Sequence, residues 1–348
     1  MKRIEAFWTV LQAIGADAAI LYAPENIFYI SGFTGEGTLV ITRNRLCLIT
    51  DSRYTLMAQE EAPDFEILPP TADLLDCLST SFHVAYEDQY LSVAAFSRIT
   101  EKLAGKELLP MGDKLTCLRQ HKDLGELTLI MDAVRLADEA FAYTVTHIRS
   151  GMHEYEVAAL IEGYMRREAG ALPSFETICA SGVRGAMPHG AASEKIIQKG
   201  ELLTMDFGCK LNGYCSDITR TVSIGPASDR QKEIYNVVLY AQTRAENAVK
   251  CGMKASQLDR IAREAISNFG YGDYFGHALG HGVGIAIHEY PTISPKSDHI
   301  IENGDVFTIE PGIYIPNECG IRIEDMLYAT NGGYTVLTKS PKGLLEIL

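Results

Sequence analysis

The segment GELLTMDFGCKLNGYCSDITRTV, residues 200–222, has the pattern of two short strands joined by a tight turn. The Asn-Gly pair at 212–213 predicts a two-residue hairpin turn, because both residues tolerate a positive φ. Pairing outward from that turn sets Gly208 opposite Asp217 and makes Asp206 the diagonal neighbour of Asp217 on one face. Two buried carboxylates that close together need a cation or a proton between them. For an isolated pair, a solvent-facing hairpin edge is the better interpretation, so the rest of the chain has to decide.

Length and composition bound the class of protein. The chain has 348 residues, enough for two domains, and its 47% hydrophobic and 22% charged content is typical of a soluble globular protein. The formal net charge of −14 argues against nucleic acid or an anionic membrane surface as the main partner. Glu5 and Asp17 interrupt the apolar N-terminal stretch, so we expect no secretory signal, and no apolar run is long enough to span a membrane.

The cysteines bear on the compartment. Eight are scattered along the chain without a CxxC motif, which favours reduced thiols in the cytosol. Cys209 and Cys215 flank the hairpin turn, but the register places them on opposite faces, so no disulfide is expected between them. We therefore predict a cytoplasmic protein.

The N-terminal part of the chain alternates helical and strand-length apolar patterns. Helical spacing is predicted at 2–14, 56–61 and 93–103, and strands at 18–22, 38–41, 46–50 and 65–68. This alternation indicates an α/β domain over residues 1–120. A polar stretch around 114–125 marks the boundary, and a second domain is predicted over residues 121–348.

The second domain contains an internal duplication. Two amphipathic helical patterns precede SEKIIQKGELLTMDFG at 193–208, and two more precede SDHIIENGDVFTIEPG at 297–312. The match pairs acidic residues in the two repeats, Asp206 with Glu310 and Asp217 with Glu324. Matched helices, strands and acids in one order predict two related α/β halves facing each other about a pseudo-twofold axis. Four carboxylates then converge between their sheets.

A Gly-rich segment with three histidines, FGHALGHGVGIAIHE, spans residues 275–289. Taken alone, His281 in this segment is better interpreted as a turn or core histidine, but beside four paired acids a metal ligand becomes the better interpretation. Four carboxylates and one imidazole suit two hard or borderline divalent cations, and Mn²⁺ or Co²⁺ fits this oxygen-rich set. A closed structural zinc site would use Cys and more His. The sequence contains no HExxH, GxGxxG after a strand, P-loop or GxSxG motif.

The motifs FETICASGVRGAMPHG, LLTMDFG, YCSDITRT, GHGVGIAIHE, FTIEPGIY and IRIED together resemble the proline peptidases of the pita-bread metallopeptidase family. That family includes aminopeptidase P and prolidase, with methionine aminopeptidase and creatinase as relatives. The resemblance covers the whole chain, because NIFYISGFTG and TDSRYTLMAQ resemble the small N-terminal domain of aminopeptidase P and prolidase. It implies an α/β N-terminal domain followed by an α+β pita-bread domain with a pseudo-twofold internal duplication.

The resemblance also implies a metal site. The implied ligands of two divalent ions are Asp206, Asp217, His281, Glu310 and Glu324. Asp217 and Glu324 would bridge the ions, and a hydroxide held between them would be the nucleophile. Glu310 would also pass a proton to the leaving nitrogen, and Arg322 would pair with a ligand carboxylate. Mn²⁺ is the expected metal, with Co²⁺ or Zn²⁺ as alternatives.

Other residues would act on the substrate. By the same resemblance, His288 would polarise the scissile carbonyl or stabilise the oxyanion, and His189 would contact the substrate or the leaving group. His277 would line the pocket or be a core residue. One departure concerns Thr292, where prolidases of this length often carry an arginine that reads the free carboxylate of a dipeptide. This departure weakens a strict dipeptidase assignment and leaves an aminopeptidase for longer Xaa-Pro peptides open.

The leading hypothesis is a dinuclear metallopeptidase that cleaves the bond between an N-terminal residue and proline in short peptides. One alternative is a creatinase-like amidinohydrolase, which keeps the fold without the metals, and another is a peptidase-like protein that binds peptides without cutting them. The complete ligand set disfavours both. Relatives further imply a homodimer in which the N-terminal domain borders the active site of the other chain.

Overall fold

A computed structural model describes residues 2–347 of the chain. The chain separates into two compact units, and the division falls between Arg119 and Gln120. No helix in the described range is long and apolar enough to cross a membrane. All eight cysteines, Cys209 and Cys215 included, are thiols.

The N-terminal unit is an α/β domain, as the sequence predicts. Its helices are α1 (Lys2–Ala13), α2 (Pro24–Ser31), α3 (Thr55–Glu61), α4 (Leu74–Cys77), α5 (Val93–Lys102) and α6 (Lys114–Gln120). Its strands are β1 (Ala18–Leu21), β2 (Thr38–Thr42), β3 (Leu46–Ile49), β4 (Glu66–Leu68), β5 (His83–Tyr86) and β6 (Glu107–Pro110). They form one sheet in the order β4-β3-β2-β1-β5-β6, where β2 is antiparallel to both neighbours and the other pairs are parallel.

The seven elements predicted for this unit are all present, with ends that differ by no more than two residues. Helix α2 was missed, although Pro24 at its start and Gly32 after its end, with a φ of 83°, are ordinary boundary residues. Strands β5 and β6 were also missed. Unlike β1 and β3, which are apolar throughout, β5 begins with His83, and β6 begins with Glu107 and ends with Pro110, so neither presents a continuous apolar run.

The C-terminal unit is built from four long helices and fourteen strands. The helices are α7 (Leu124–Val145), α8 (Glu154–Ala169), α9 (Asp229–Ala248) and α10 (Ala255–Asn268). The strands of the first half are β7 (Leu172–Pro173), β8 (Ile178–Ser181), β9 (Leu202–Phe207), β10 (Cys209–Leu211), β11 (Tyr214–Cys215) and β12 (Ile218–Ile224). Those that follow are β13 (Gly280–Gly282), β14 (Glu289–Ile293), β15 (Val306–Ile309), β16 (Gly312–Ile315), β17 (Cys319–Arg322), β18 (Asp325–Thr330), β19 (Gly333–Val336) and β20 (Glu346–Ile347).

The duplication is visible in the packing of this unit. One apolar core joins α7 and α8 to the sheet β20-β12-β9-β8, and a second joins α9 and α10 to the sheet β14-β13-β15-β18-β19. The first helix of each pair begins with a capping box, Asp123 with Glu126 and Ser228 with Gln231. The predicted pseudo-twofold pita-bread architecture is therefore confirmed.

The first hairpin has the predicted register. Asn212 and Gly213 have φ values of 50° and 84°, as a type I′ turn requires. The pairing continues from the turn through β9 and β12, where Asp206 lies opposite Thr219. In this register Gly208 faces Asp217, so the two aspartates are diagonal neighbours.

The second hairpin corrects one detail of the sequence match. Ile309 pairs with Asp325, and Gly312 pairs with Arg322, so Glu310 lies directly opposite Glu324 between them. The position that corresponds to Asp217 in the first hairpin is therefore Arg322, and Glu324 corresponds to Thr219. Matching the acids by their order along the chain therefore placed Glu324 two residues away from its true equivalent in the first hairpin.

Candidate active site

A cavity of about 440 Å³ opens in the C-terminal unit and is lined by residues of both halves. All nine side chains singled out from the sequence line it: His189, Asp206, Asp217, His277, His281, His288, Glu310, Arg322 and Glu324. Thr292, the departure from the prolidase pattern, also faces it. The structure thus brings together residues that are separated by up to 135 positions in the chain.

The four carboxylates reach the cavity from the ends of strands. Asp206 is in β9, Asp217 precedes β12, Glu310 follows β15, and Glu324 joins β17 to β18. Oxygen or nitrogen donor atoms of Asp217, Glu324 and His281 all lie within 4.8 Å of one another. His281 Nε2 is also 3.4 Å from Glu310 Oε1 and 3.5 Å from Asp217 Oδ2. These donors are spaced closely enough to share a cation.

The donor set fits divalent cations. Oδ1 of Asp206 and Oδ1 of Asp217 are buried, and neither finds a hydrogen-bond partner among residues 2–347. Burial, together with the neighbouring acids, raises the pKa of Asp217 and of Glu324 well above their ordinary values, and burial raises the pKa of Glu310 to about 8. Unpaired carboxylate oxygens that would otherwise take up protons are suitable ligands for hard cations.

His281 presents the right nitrogen to this group. Its Nδ1 lies 3.1 Å from the carbonyl oxygen of Gly282, an acceptor that places the proton on Nδ1 and leaves Nε2 toward the acids. Burial, with a further contribution from His288, lowers the pKa of His281 to about 4, so the ring is neutral at pH 7. Glycine at 280 is needed because a Cβ there would lie 2.0 Å from the carbonyl oxygen of Thr308 on β15.

Arg322 connects the two halves beneath the acids. Its Nη2 donates to Asp206 Oδ2 at 2.5 Å, its Nε donates to the Thr219 hydroxyl at 3.1 Å, and its Nη1 donates to the Tyr314 hydroxyl at 2.8 Å. The Thr219 hydroxyl in turn donates to Glu324 Oε2 at 2.7 Å. A single guanidinium therefore helps to orient two of the four carboxylates, one of them through the Thr219 hydroxyl, as an arginine does when it supports candidate metal ligands.

Sequence reasoning missed Thr219 and Tyr314. The Tyr314 hydroxyl contacts Arg322 and also lies 2.8 Å from Nε2 of His277, whose Nδ1 donates to the carbonyl of Ala278. Both residues are inside motifs quoted above, YCSDITRT and FTIEPGIY, but hydroxyl groups carry no metal-ligand pattern of their own. Only the folded chain shows which groups they reach.

The remaining histidines differ in how they are held. The ring of His288 lies 4.3 Å from that of His281, centroid to centroid, and burial and the neighbouring His189 lower the pKa of His288. His277 is hydrogen-bonded on both nitrogens and also lines the cavity. His189 lies beyond the 3₁₀ turn Gly182–Ala186, in the segment that closes one side of the cavity.

Comparison with known proteins decides the family. The profile of metallopeptidase family M24 matches residues 128–331, and that of the Creatinase/Prolidase N-terminal domain matches residues 3–121. The chain belongs to metallopeptidase family M24. This peptidase is 39% identical to the Xaa-Pro dipeptidase of Pyrococcus furiosus over 99% of each chain.

Solved structures agree over the full length. The Xaa-Pro dipeptidase from Bacillus anthracis superposes with a TM-score of 0.94 at 39% identity, covering 99% of both chains. The X-Pro aminopeptidase from Thermotoga maritima superposes with a TM-score of 0.90 at 40% identity, covering 97% of this chain and 100% of that one. The resemblance seen in the motifs, and the fold that it implied, are confirmed. The chain is an M24 metallopeptidase, a family that uses divalent metal ions.

Proposed function

We propose that this M24 peptidase is a dinuclear exopeptidase that hydrolyses the bond between an N-terminal residue and proline. The observation that carries the proposal is the convergence of four carboxylates and His281 on one cavity, where two buried carboxylate oxygens find no hydrogen-bond partner in the described part of the chain. Relatives that cover nearly all of both chains and are named Xaa-Pro dipeptidase or X-Pro aminopeptidase support the substrate class.

Five residues would hold the two cations: Asp206, Asp217, His281, Glu310 and Glu324. We favour Mn²⁺ over Co²⁺ and Zn²⁺ because four of the five donors are carboxylates. When bound, such ions supply Lewis-acid polarisation of the substrate and activation of a water molecule.

Other groups of the chain would carry out the remaining steps. Glu310, fixed by the Thr308 hydroxyl at 3.1 Å from its Oε1, would pass a proton to the leaving proline nitrogen. His288, at the cavity wall, would donate a hydrogen bond to the scissile carbonyl oxygen as charge develops there. His189, which also lines the cavity, would contact the substrate or the leaving group. A cavity of about 440 Å³ accepts a short peptide and excludes a folded protein.

Dipeptidase and aminopeptidase activities depend on what lies beyond proline. Thr292 is paired with His281 across β13 and β14 and faces the cavity without a positive charge for a dipeptide carboxylate. We therefore propose that tripeptides and longer Xaa-Pro peptides are cleaved at least as well as dipeptides.

The decisive experiment measures turnover of Xaa-Pro and Xaa-Pro-Yaa peptides by metal-stripped protein to which Mn²⁺ is added. We expect cleavage after the first residue and about two ions per chain at saturation. Full metal loading without cleavage would instead favour a peptide-binding protein. Absence of metal binding would favour the creatinase-like alternative. Thr292→Arg should shift the preference toward dipeptides.

We also propose a cytoplasmic homodimer. Six of the eight thiols are buried and none is in a disulfide, which agrees with a reducing compartment. The net charge of −14 does not oppose self-association, since obligate interfaces depend on apolar burial more than on net charge. Sedimentation of the full chain tests the dimer, and a monomer at micromolar concentration would contradict it.

A further inference from the structure

His189 is carried by a loop that we call the His189 loop, residues 182–192, which leaves β8 at Ser181 and ends at Ser193. Inside the loop, the Gly190 amide donates to the Met187 carbonyl at 3.0 Å. The His189 ring itself makes no hydrogen bond with any residue between 2 and 347. The path of the loop backbone therefore decides where this ring lies in the cavity.

One buried carboxylate forms hydrogen bonds with the residues that flank the His189 loop at both ends. Glu154, the first residue of α8, has no solvent exposure. Its Oε1 accepts hydrogen bonds from the Ser181 amide at 2.7 Å and the Ser181 hydroxyl at 2.9 Å, and its Oε2 accepts one from the Ser193 hydroxyl at 2.6 Å. A charge this deeply buried persists only when it is paired and hydrogen-bonded.

Arg184 supplies the pairing charge and extends it across the loop. Its Nη1 donates to the second oxygen of Glu154, and its Nη2 donates to the carbonyl oxygen of Ala191 at 3.0 Å. Ala191 is two residues beyond His189 and is hydrogen-bonded back to the His189 carbonyl at 2.9 Å. The planar guanidinium thus ties the start of the loop, its end and helix α8 together, which the single ammonium of lysine cannot reproduce.

The far side of the loop rests on β17. A Cβ at Gly320 would lie 1.7 Å from the carbonyl oxygen of Gly185, so the two backbones are in direct contact. The carbonyl of Pro188, next to His189, accepts a hydrogen bond from Arg322 Nη1 at 3.2 Å. The loop is therefore held between the Glu154–Arg184 pair on one side and the ligand-orienting Arg322 on the other.

We propose that Glu154 and Arg184 are positioning residues that fix His189 in the cavity and act on the substrate only through it. Neither is among the residues that line the cavity. The part of the proposal that concerns substrate rests on the proposed function, whereas the part that concerns loop order does not. The two parts can be tested separately.

Loop order is tested in Arg184→Met by hydrogen exchange of the amides of residues 182–192. Glu154 keeps three hydrogen bonds in this variant, so we expect a folded protein whose loop amides exchange at least about 10-fold faster, with unchanged exchange in α10. Arg135→Met is the matched control, because Arg135 forms an exposed pair with Glu139 in the same unit. Unchanged exchange of the loop in Arg184→Met would overturn the proposal. Arg184→Lys, expected to be intermediate, serves if the methionine variant does not fold.

Action through His189 is tested by a double-mutant cycle on Xaa-Pro cleavage. We expect Arg184→Met to lower kcat/KM by on the order of 10- to 100-fold, with metal content unchanged, because the substrate contact is displaced. In a His189→Ala background the same change should have no further effect. Equal losses in both backgrounds, or wild-type kinetics of His189→Ala, would overturn this part. A wild-type protein that cleaves no Xaa-Pro peptide would contradict the proposed function and leave the exchange result standing.

Discussion

The two hairpins of the C-terminal unit share a scaffold but present different side chains to the cavity. In the first, successive pairs on the cavity face are Gly208 with Asp217, Asp206 with Thr219 and Thr204 with Thr221. In the second, the corresponding pairs are Gly312 with Arg322, Glu310 with Glu324 and Thr308 with Met326. The glycines, the threonines at 204 and 308, and the first acid of each half coincide, whereas the three positions opposite them have diverged.

The divergence shows how a duplicated fold makes an asymmetric site. Arg322 occupies the place of Asp217 and reaches across to bond Asp206, while Thr219 occupies the place of Glu324 and donates to it. At each of these two positions, one half of the repeat provides a candidate ligand, and the other half provides a residue that supports a candidate ligand. If acids occupied every equivalent position, the buried carboxylates would lack the Arg322 guanidinium and the Thr219 hydroxyl that now orient them.

The histidine-bearing segments differ in the same way. In the second half, Arg263 and Asp259 on α10 form a two-bond pair, and Arg263 donates to the carbonyls of Phe275 and His277 at 2.8 and 2.9 Å. In the first half, the arginine of the Glu154–Arg184 pair is on the loop instead of the helix. In both halves an arginine–carboxylate pair therefore supports the segment that carries a cavity histidine. The arginine of that pair lies on the loop in the first half and on the helix in the second.

The largest effect is expected for Asp217→Ala. Removing a carboxylate that both cations would share in the proposed site should abolish peptidase activity and most metal binding, while the protein stays folded. Metal analysis and circular dichroism measure both outcomes, and the exposed Glu139→Ala is the control. Glu324→Ala should be equally severe although it lies at a different position in the repeat. Wild-type turnover by either variant would refute the site.

Arg322→Met should have a smaller effect. Asp206 loses its charged partner, so metal affinity or kcat/KM should fall by about 10- to 100-fold, the range typical of groups that orient ligands. Titration of Mn²⁺ into the metal-free variant measures the affinity. Arg322→Lys should recover only part of the loss, since an ammonium cannot reach Asp206, Thr219 and Tyr314 together. An effect as large as that of Asp217→Ala would remove the distinction between ligand and supporting residue.

The paired glycines should respond unequally to alanine. A Cβ at Gly208 would lie 1.8 Å from the backbone oxygen of Ser216, whereas one at Gly312 would lie 2.4 Å from the hydroxyl oxygen of Tyr314, the end of a side chain. Gly208→Ala should therefore lower the free energy of unfolding by about 1–3 kcal/mol or more, and Gly312→Ala by less. Denaturant unfolding of the metal-loaded variants compares them. Equal losses would mean that the two glycine positions are equally crowded.

The smallest expected effect is the pH dependence of the metal-free protein. Burial raises the pKa of Glu310 to about 8, so the folded state retains a proton that the unfolded state has lost. Stability should then fall as the pH rises toward 8, by on the order of 1 kcal/mol per such group. Burial lowers the pKa of His281 from 6.5 to about 4, so its contribution makes stability rise with pH, but only below pH 6.5. The window to measure is therefore about 6.5 to 8.

Two controls separate this effect from other titrations. Metal-loaded protein should not lose stability in that window, because cations replace the protons and bind more tightly as the ligands deprotonate. Glu310→Gln should reduce the slope of the profile of the metal-free protein, and the slope that remains would come from Asp217 and Glu324, whose pKa values are also raised. A metal-free profile that rises with pH between about 6.5 and 8 would contradict the burial of protonated acids in the second hairpin.

Much of the fold and most of the site follow from local sequence. The Asn-Gly turn fixes the first hairpin's register, because a two-residue loop allows only one pairing of the strands that flank it. The repeated helix and strand patterns predict the duplication, and the nine side chains singled out from the sequence all line the cavity. Strands β5 and β6 escaped detection since their polar or proline ends leave no continuous apolar run, unlike the equally short β1 and β3.

The sequence alone determined which chemical groups are present and which strands carry them, because turn chemistry and periodicity act over a few residues. The tertiary structure decided how those groups meet. The second hairpin turns through three residues around Asn317, with a φ of 61°, one residue more than the first. Glu324 also lies two residues further along its strand than the position equivalent to Asp217, so acids spaced 11 apart in one repeat and 14 in the other do not coincide. The partners of Arg322 and Glu154 are equally invisible in the sequence, since hydrogen bonds between distant segments depend on packing that no local pattern encodes.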